Sequence, residues 1–405
     1  MNRLKKALIA VLASAAIMAA CIMPAMADNT YPQSSWAKGG TFDFKKYLVI
    51  DENENLPDAT FYYDLVPGTA VSSSADKMEV YAGVAGATVG NAVISNGDTT
   101  YDAKAAEDVS VTLASGQKYA KTTVTIDFSG CDFKEPGVFR YNLTERNDPN
   151  GIFSCDTTTK YVDVYVTDNG QGVLAVSGYT IHSTEEAPAT GATAGTEGTD
   201  LADKIDGIQN EYETTDLYVG KVVTGNQASR DKYFKFTVKI SDLVGQTKLN
   251  VGIANADATS GDNLATSSAN KNQPNPTELT VSGGEATGTF YLQNNQYVII
   301  YGLMNGAKYE ITEDAEDYNS IASSNTAFTI GSANFDDAVK NDSGIDVADG
   351  PFYAGFTNQR QGVIPTGIIM KVAPVAIIGV VALAGIIVLV TLNVKRKAED
   401  TEADN

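Results

Sequence analysis

Two runs of alternating apolar residues, each with a lysine on its apolar side, constrain the fold of this chain more than any other feature. They are residues 42–50, FDFKKYLVI, and residues 217–223, LYVGKVV. Because successive side chains of a β-strand point to opposite faces, Lys46 and Lys221 each point the same way as the apolar residues two positions before and after them. A core lysine is costly unless it is paired or neutral. One such lysine is typical of an edge strand, but two in matching positions indicate a shared role.

The chain between its two ends is strand-like almost throughout and predicts an all-β fold. Val, Ile, Thr, Tyr and Phe dominate short runs that Gly, Asn and Asp separate. Runs such as 109–113 and 204–212 are predicted as strands, and the Thr-, Gly- and Glu-rich stretch 183–203 is predicted as a loop. Two β-sandwich domains in series are expected, at residues 41–213 and 214–362, after an N-terminal segment at residues 28–40.

Each half also repeats a glutamate and an asparagine in the same order after its lysine. Glu145 ends the segment YNLTE and Glu313 ends the segment YEITE, so each shares a strand face with a tyrosine and an aliphatic residue. Asn210 and Asn358 lie in the last strand of each half, two positions after an apolar residue. In one domain, these could be an unrelated strand lysine, surface glutamate and turn asparagine. The same order and parity in two domains favour a functional triad.

A buried lysine, glutamate and asparagine can form a covalent bond without another reactant. Burial lowers the pKa of a lysine, which makes it a neutral nucleophile, and raises the pKa of a glutamate. The protonated glutamate would donate a hydrogen bond to the asparagine carbonyl and carry a proton to the leaving nitrogen. Attack of the amine on the carboxamide would release ammonia and join two strands. The predicted catalytic residues are therefore Glu145 and Glu313, acting as proton shuttles.

The two ends of the chain have the composition of targeting segments. Residues 1–27 are typical of a secretory signal peptide, with basic residues, an apolar run and an Ala-Met-Ala cleavage site. Residues 372–394 are apolar and long enough to span a membrane. The tail at residues 395–405 begins with Lys-Arg-Lys, the flank expected on the cytoplasmic side. These features predict a secreted protein with a membrane-spanning precursor.

The segment before the apolar span resembles a cell-wall sorting signal, whose Thr–Gly bond is cleaved by a sortase. The motif at residues 363–367 is VIPTG, which departs from the commonest form, Leu-Pro-x-Thr-Gly. It is similar to the variant used by some pilin-polymerising sortases. The alternative is an ordinary membrane anchor after a chance Pro-Thr-Gly. The order of motif, span and basic tail favours a sortase site made of Ile364, Pro365, Thr366 and Gly367.

Both halves resemble the pilin isopeptide linkage (FctA-like) domains of Gram-positive major, or backbone, pilins. The likeness covers residues 41–367 and includes the pieces FKKYL at 44–48, EPG at 135–137, QNEY at 209–212 and FTN at 356–358. The resemblance implies immunoglobulin-like (CnaB-type) β-sandwiches. It also implies glutamate-assisted isopeptide crosslinks that join Lys46 to Asn210 and Lys221 to Asn358.

The resemblance further implies what the protein assembles with. A sortase would join Thr366 of one subunit to a lysine of the next copy, and the finished pilus would be anchored to peptidoglycan, with tip or base pilins as further partners. Lys204, six residues before Asn210, is the candidate acceptor, and Lys160 and Lys118 are the alternatives. Two other functions remain open. One is a singly wall-anchored adhesin or stalk, and the weaker one is a secreted carboxylate glycoside hydrolase.

Composition argues against several other classes of protein and site. A formal net charge of −21 argues against nucleic acid as a partner, and the single histidine, His182, argues against catalysis by histidine. The acidic run 51–55 is followed by Leu56 where a calcium loop needs glycine. The sequence therefore predicts no cofactor, no metal and no enzymatic activity beyond self-crosslinking. Cys131 and Cys155 are compatible either with a disulfide or with two free thiols.

Overall fold

The computed structural model describes residues 31–74, 77–187, 204–255, 275–324 and 338–363. The predicted all-β class is confirmed, since almost every described element is a strand. The predicted signal peptide, the apolar span and residues Ile364, Pro365, Thr366 and Gly367 lie outside the described residues. Within the described ranges, no helix has the length and apolar character needed to cross a membrane.

The first half of the chain forms two main sheets that pack face to face. One sheet has the strand order β12-β15-β2-β9-β6, with β8 also on β9, and the other has the order β14-β13-β11-β4, with β5 beside β11. Two strand pairs, β1 with β10 and β3 with β7, lie outside these sheets. The strands are β1 Ala37–Lys38, β2 Thr41–Asp51, β3 Ala59–Phe61, β4 Tyr63–Pro67, β5 Val80–Ala82, β6 Thr88–Val89, β7 Ala92–Ile94, β8 Thr100–Tyr101, β9 Gln117–Asp127, β10 Asp132–Phe133, β11 Gly137–Glu145, β12 Phe153–Ser154, β13 Lys160–Asp168, β14 Leu174–His182 and β15 Gly207–Tyr212. A short 3₁₀ turn, Gln33–Ser35, precedes them.

The second half repeats this arrangement with fewer strands. One sheet has the order β19-β18-β21-β16-β25-β23 and the other has the order β20-β17-β22-β24. The strands are β16 Thr214–Thr224, β17 Phe234–Ser241, β18 Lys248–Asn255, β19 Glu278–Thr280, β20 Ala286–Leu292, β21 Gln296–Met304, β22 Lys308–Asp314, β23 Asn319–Ser324, β24 Ala338–Asn341 and β25 Phe352–Gln359, with a 3₁₀ turn at Val347–Asp349 before β25. Only Glu213 separates β15 from β16, so the two sandwiches follow each other directly.

In each sandwich, the first long strand and the last strand are parallel neighbours. β2 pairs with β15 so that Lys46 lies opposite Ile208, two positions before Asn210. β16 pairs with β25 so that Lys221 lies opposite Phe356, two positions before Asn358. The two domains therefore have the same register at this pair of strands. Because residues two apart share a face, each lysine and its asparagine point to the same side of the sheet.

Apolar side chains fill the space between the facing sheets. In the first domain the Phe44 ring on β2 packs edge-on against Tyr63 on β4, with 5.4 Å between ring centroids. In the second, Phe236 on β17 packs edge-on against Phe356 on β25, with centroids 5.2 Å apart. All four side chains are buried, and Lys46 and Lys221 are fully buried as well, each in the apolar core of its own domain.

The predicted strand at residues 109–113 is wrong. This segment lies across the outer face of β2 and β9, and its backbone N–H groups bond to side chains instead of to a neighbouring strand. Ser110 N–H donates to Asp206 Oδ1 at 2.7 Å, and Thr112 N–H donates to Gln209 Oε1 at 2.6 Å. The buried Val111 side chain supplied the apolar residue that made the segment look like a strand. The predicted strand at 204–212 begins later, at Gly207.

Candidate functional site

The first domain brings Lys46, Glu145 and Asn210 together between its sheets. Lys46 Nζ lies 2.5 Å from Glu145 Oε2, and both side chains are completely buried. The other carboxylate oxygen, Glu145 Oε1, accepts a short hydrogen bond from Asn210 Nδ2. The Lys46 ammonium also lies 4.6 Å from the centre of the Phe61 ring, whose π face favours a cation. One glutamate therefore contacts both the amine and the carboxamide of the predicted crosslink.

The second domain repeats the constellation with Lys221, Glu313 and Asn358. Lys221 Nζ lies 2.5 Å from Glu313 Oε1, and the same oxygen accepts from Asn358 Nδ2 at 2.9 Å. The amine lies 4.4 Å from the centre of the Phe234 ring. Ser320 Oγ donates to the second carboxylate oxygen, Glu313 Oε2, at 3.1 Å.

Burial shifts the pKa values of both lysines and of Glu313 in the direction that the chemistry requires. Removal from water lowers the pKa of Lys46 and that of Lys221 to about 8 each, although the neighbouring glutamates act in the opposite sense. Burial also raises the pKa of Glu313. A lysine with a pKa near 8 is neutral far more often at physiological pH than an exposed lysine, so both amines are activated as nucleophiles.

Strand parity selects the reactive lysine in β2. Lys45 and Lys46 are adjacent, but Lys45 points to the outer face of the sheet, where its Nζ lies 2.6 Å from Asp108 Oδ1. Asp108 also accepts from Lys121 Nζ at 2.7 Å and from Tyr119 Oη at 2.6 Å, which ties the outer covering segment to the sheet. The two neighbouring lysines therefore have different environments on opposite faces, as the alternating pattern predicts.

The glutamates contact a different part of the carboxamide from the one expected. The sequence analysis placed the glutamate against the asparagine carbonyl, whereas in both domains it accepts from the amide nitrogen. In the first domain the carbonyl oxygen, Asn210 Oδ1, accepts instead from the backbone N–H of Asp156 at 3.1 Å. In the second domain, Asn358 Oδ1 is buried and accepts no hydrogen bond from any described residue.

Sequence reasoning did not find the residues that flank the asparagines. Cys155 Sγ accepts from Asn210 Nδ2 at 3.3 Å, while Ser320 bonds the second-domain glutamate. Cys155 and Ser320 occupy matching positions in the two domains. Ser320 is paired with Asn358 in the β23–β25 ladder. In the β12–β15 ladder Ser154 lies opposite Glu211, so the next residue, Cys155, lies beside Asn210. The segments that contain them share no sequence motif, so their equivalence emerges only from strand pairing.

The two cysteines are free thiols, so the disulfide alternative is wrong. Cys131 is buried in the first-domain core, where its Sγ accepts from Tyr141 Oη at 3.4 Å and lies 3.4 Å from Val84 O. Cys155 is instead beside the Asn210 carboxamide. Each sulfur thus has its own set of partners in a different part of the domain.

The three candidate acceptor lysines differ in accessibility. Lys204 is exposed and forms an isolated antiparallel bridge with His182. Lys160 is buried, and its Nζ lies 2.7 Å from Asp156 Oδ2. Lys118 is partly buried and donates from Nζ to the backbone oxygens of Glu52 and Glu54, both at 2.8 Å. Of these amines, that of Lys204 is the most accessible to a partner.

Comparisons with known proteins find similarity in both halves of the chain. Residues 42–190 match the family described as the Spy0128-like isopeptide containing domain, and residues 215–343 match a domain of unknown function, DUF7601. A protein named pilin, from Streptococcus pyogenes serotype M1, is 25% identical over 378 residues, which cover 91% of this chain and 95% of that protein.

Solved structures of similar proteins show the same fold. The crystal structure of the major pilin from Streptococcus pyogenes matches with a TM-score of 0.51 at 20% identity, over 80% of this chain and 100% of that one. A second major pilin protein from the same species, T3.2, matches with a TM-score of 0.50 at 20% identity, over 80% of this chain and 99% of that one.

Proposed function

Because its first domain belongs to the Spy0128-like isopeptide containing family, we propose that this chain is a structural subunit of a cell-surface pilus. Each domain is closed by an autocatalytic isopeptide bond, Lys46 to Asn210 in the first and Lys221 to Asn358 in the second. The observation that carries this proposal is the doubled constellation, in which a fully buried amine lies 2.5 Å from a glutamate that also contacts the asparagine amide. The similarity to a curated pilin over most of both chains supports the assignment.

The geometry supports one reaction sequence in each domain. The neutral lysine Nζ attacks the asparagine Cγ and forms a new C–N bond, while the protonated glutamate gives its proton to the amide nitrogen. The C–Nδ2 bond then breaks and ammonia leaves, and the carboxylate recovers a proton from the former lysine nitrogen. The glutamate ends the cycle protonated, so it acts as a proton shuttle and is not consumed. The fold supplies proximity, and no cofactor, metal or external enzyme takes part in this sequence.

Intact mass spectrometry of residues 28–363 tests the crosslinks. The folded protein should be lighter than its sequence by the mass of two ammonia molecules. Glu145→Ala and Glu313→Ala should each restore the mass of one ammonia, because each removes one proton shuttle. Glu310→Ala is a matched control, since Glu310 is in the same strand as Glu313 but three positions away, so its side chain points to the opposite face of the sheet. A wild-type mass equal to the unmodified sequence would refute the proposal.

Assembly into a polymer is the second part of the proposal. A sortase would cleave between Thr366 and Gly367 and transfer the Thr366 carbonyl to Lys204 of the next subunit. Lys204 is exposed, whereas Lys160 is buried in an ion pair. The final subunit would be transferred to peptidoglycan, so the mature protein would be on the cell surface. Self-association is supported by the pilin relatives.

Wall extracts from producing cells test the assembly. A polymer gives a ladder of covalent multimers, and Lys204→Arg should collapse the ladder to a monomer while Lys160→Arg should leave it intact. A single band in the wild type would favour the singly anchored adhesin or stalk. A ladder that persists in Lys204→Arg would reject Lys204 as the acceptor and leave the subunit function in place.

A further inference from the structure

The two crosslink sites differ at the carbonyl oxygen of the asparagine. In the first domain, the Asp156 backbone N–H points at Asn210 Oδ1 from 3.1 Å, and Cys155 Sγ lies 3.3 Å from Asn210 Nδ2. These two contacts orient the carboxamide, because one binds its oxygen and the other binds its nitrogen. The oxygen is the atom on which negative charge develops when an amine attacks the carbon, so a donor at this position acts as an oxyanion hole.

Strand pairing explains why only the first domain has this donor among the described residues. β12 ends at Ser154, so the chain leaves the sheet before Asp156 and its N–H can bond to a side chain. The corresponding strand of the second domain, β23, continues to pair with β25 beyond Ser320, with Ile321 opposite Thr357 and Ser324 opposite Ala354. That backbone remains in the strand ladder, and Asn358 Oδ1 accepts no hydrogen bond from the described part of the chain.

The turn that carries the donor is held by its own side chain. Asp156 Oδ1 accepts from Thr158 N–H at 3.1 Å, and Asp156 Oδ2 lies 2.7 Å from Lys160 Nζ. Thr157 N–H donates to Cys155 O at 3.0 Å. These bonds form without the reaction, so the N–H is already in position when the tetrahedral intermediate appears. A donor that is fixed in advance stabilises charge without reorganisation during the step.

We propose that the Asp156 backbone N–H is a catalytic oxyanion donor for the Lys46–Asn210 crosslink, and that Cys155 orients the same carboxamide. This inference rests on the proposed function, because it concerns the rate of that bond. When Lys46 Nζ attacks Asn210 Cγ, the C=O electron pair moves to Oδ1 and the Asp156 N–H stabilises it. The charge returns to the carbonyl when the C–Nδ2 bond breaks and ammonia leaves through the Glu145 proton transfer.

The test replaces the backbone N–H of residue 156 by an ester oxygen and keeps the side chain at that position the same in the two chains compared. The wild-type chain retains the N–H and is the matched control, and the chain with Asp156 joined through an ester, introduced as the α-hydroxy acid of aspartate by nonsense suppression, keeps the side chain that holds the turn and lacks the N–H. Each chain is isolated unreacted in denaturant, refolded by dilution, quenched with acid at intervals and digested. The branched peptide that contains Lys46 and Asn210 is then quantified against the branched peptide from the second domain.

The ester should form the first-domain bond about 100-fold more slowly than the wild-type chain, as expected for the loss of one oxyanion donor. The second-domain bond, which forms in the same molecule, should keep its rate. The rate should still fall as the pH rises through the Lys46 pKa of about 8, because the amine remains buried and the proton that it shares with Glu145 is lost above that pH. Asp156→Pro, which also lacks the N–H, should show the same slowing in a chain made entirely by translation.

Two results would overturn the inference. Equal rates for the ester and the amide would show that the N–H does no catalytic work. A slower rate whose pH midpoint moves up toward the ordinary lysine value would show that the site had opened to water and that the donor was structural. Absence of both branched peptides in the wild type would instead refute the proposed function, so the two failures are distinguishable.

Discussion

Removal of the first-domain crosslink should lower the stability of that domain by a predictable amount. The proposed bond closes a loop of about 165 residues between positions 46 and 210, and the chain-entropy model gives about 5 kcal/mol for a loop of this size. The perturbation is the double variant Lys46→Met and Glu145→Gln, which keeps the shape of both side chains and cannot form the bond. Replacing a buried ion pair by groups of similar volume is often neutral, so the loss can be assigned to the crosslink.

Trp36 allows this loss to be measured in the first domain alone. It is the only tryptophan in the chain, its Nε1 donates to Tyr31 O at 3.0 Å, and Lys134 Nζ lies 4.7 Å from the centre of its ring. Its fluorescence should therefore report unfolding of the first domain in guanidinium chloride. With a denaturant slope of about 4 kcal/mol per molar, a loss of about 5 kcal/mol lowers the midpoint by about 1 M.

A matched control uses the same chemistry in the domain without tryptophan. Lys221→Met with Glu313→Gln should restore the mass of one ammonia and leave the Trp36 transition in place. The reasoning would be refuted if Lys46→Met with Glu145→Gln restored the mass of one ammonia but left the Trp36 midpoint within about 0.3 M of wild type. The crosslink would then exist without the stabilisation that loop closure requires.

Three further predictions concern individual groups. Crosslinking should be about 100-fold slower at pH 10 than at pH 7, because the reaction needs a neutral lysine beside a protonated glutamate, and the one proton that this pair shares is lost above the lysine pKa of about 8; branched peptides from refolding at each pH measure this, and a flat profile would contradict it. Ser320→Ala should slow the second-domain bond several-fold, since it removes the hydrogen bond to Glu313, with the first-domain bond as the internal standard and an unchanged ratio as the contrary result. Iodoacetamide should leave Cys131 unmodified in the native protein and should react only slowly with Cys155, because burial raises the pKa of Cys155 to about 11. Both thiols should be alkylated after denaturation without reductant. A single labelled cysteine under denaturing conditions would show a modified or paired thiol.

The parity of apolar residues was sufficient to locate the reactive side chains. It distinguished Lys46 from Lys45, and the structure places the first in the core and the second on the outer face. This worked because the two faces of β2 have opposite requirements: side chains on the inner face are apolar and side chains on the outer face are polar. The same rule failed at residues 109–113, a covering segment that pairs with no strand and whose Val111 side chain is buried against the outer face of the sheet.

Contacts that depend on where a strand stops could not be read from the sequence. The Asp156 N–H reaches Asn210 only because β12 ends at Ser154, and its counterpart near Ile321 remains in a ladder. Neither segment has a residue type that marks the difference, since a backbone N–H is present at every non-proline position. Sequence patterns therefore identified the reacting groups, whereas the groups that position them follow from tertiary pairing.

The register of the first and last strands also determines how the molecule would carry tension. Each domain begins and ends with parallel neighbouring strands, and the proposed bonds join those strands near the points where the chain enters and leaves. In the proposed polymer a pull would enter at Lys204 and leave at Thr366, so it would pass from Lys221 to Asn358 through the second bond, while the first bond would tie the end of β15 to β2 beside that path. The residues 211–220 between the two bonds would add little length, because all of them except Glu213 already lie in the extended strands β15 and β16. The remaining strands of both sandwiches would therefore lie outside the path of the load.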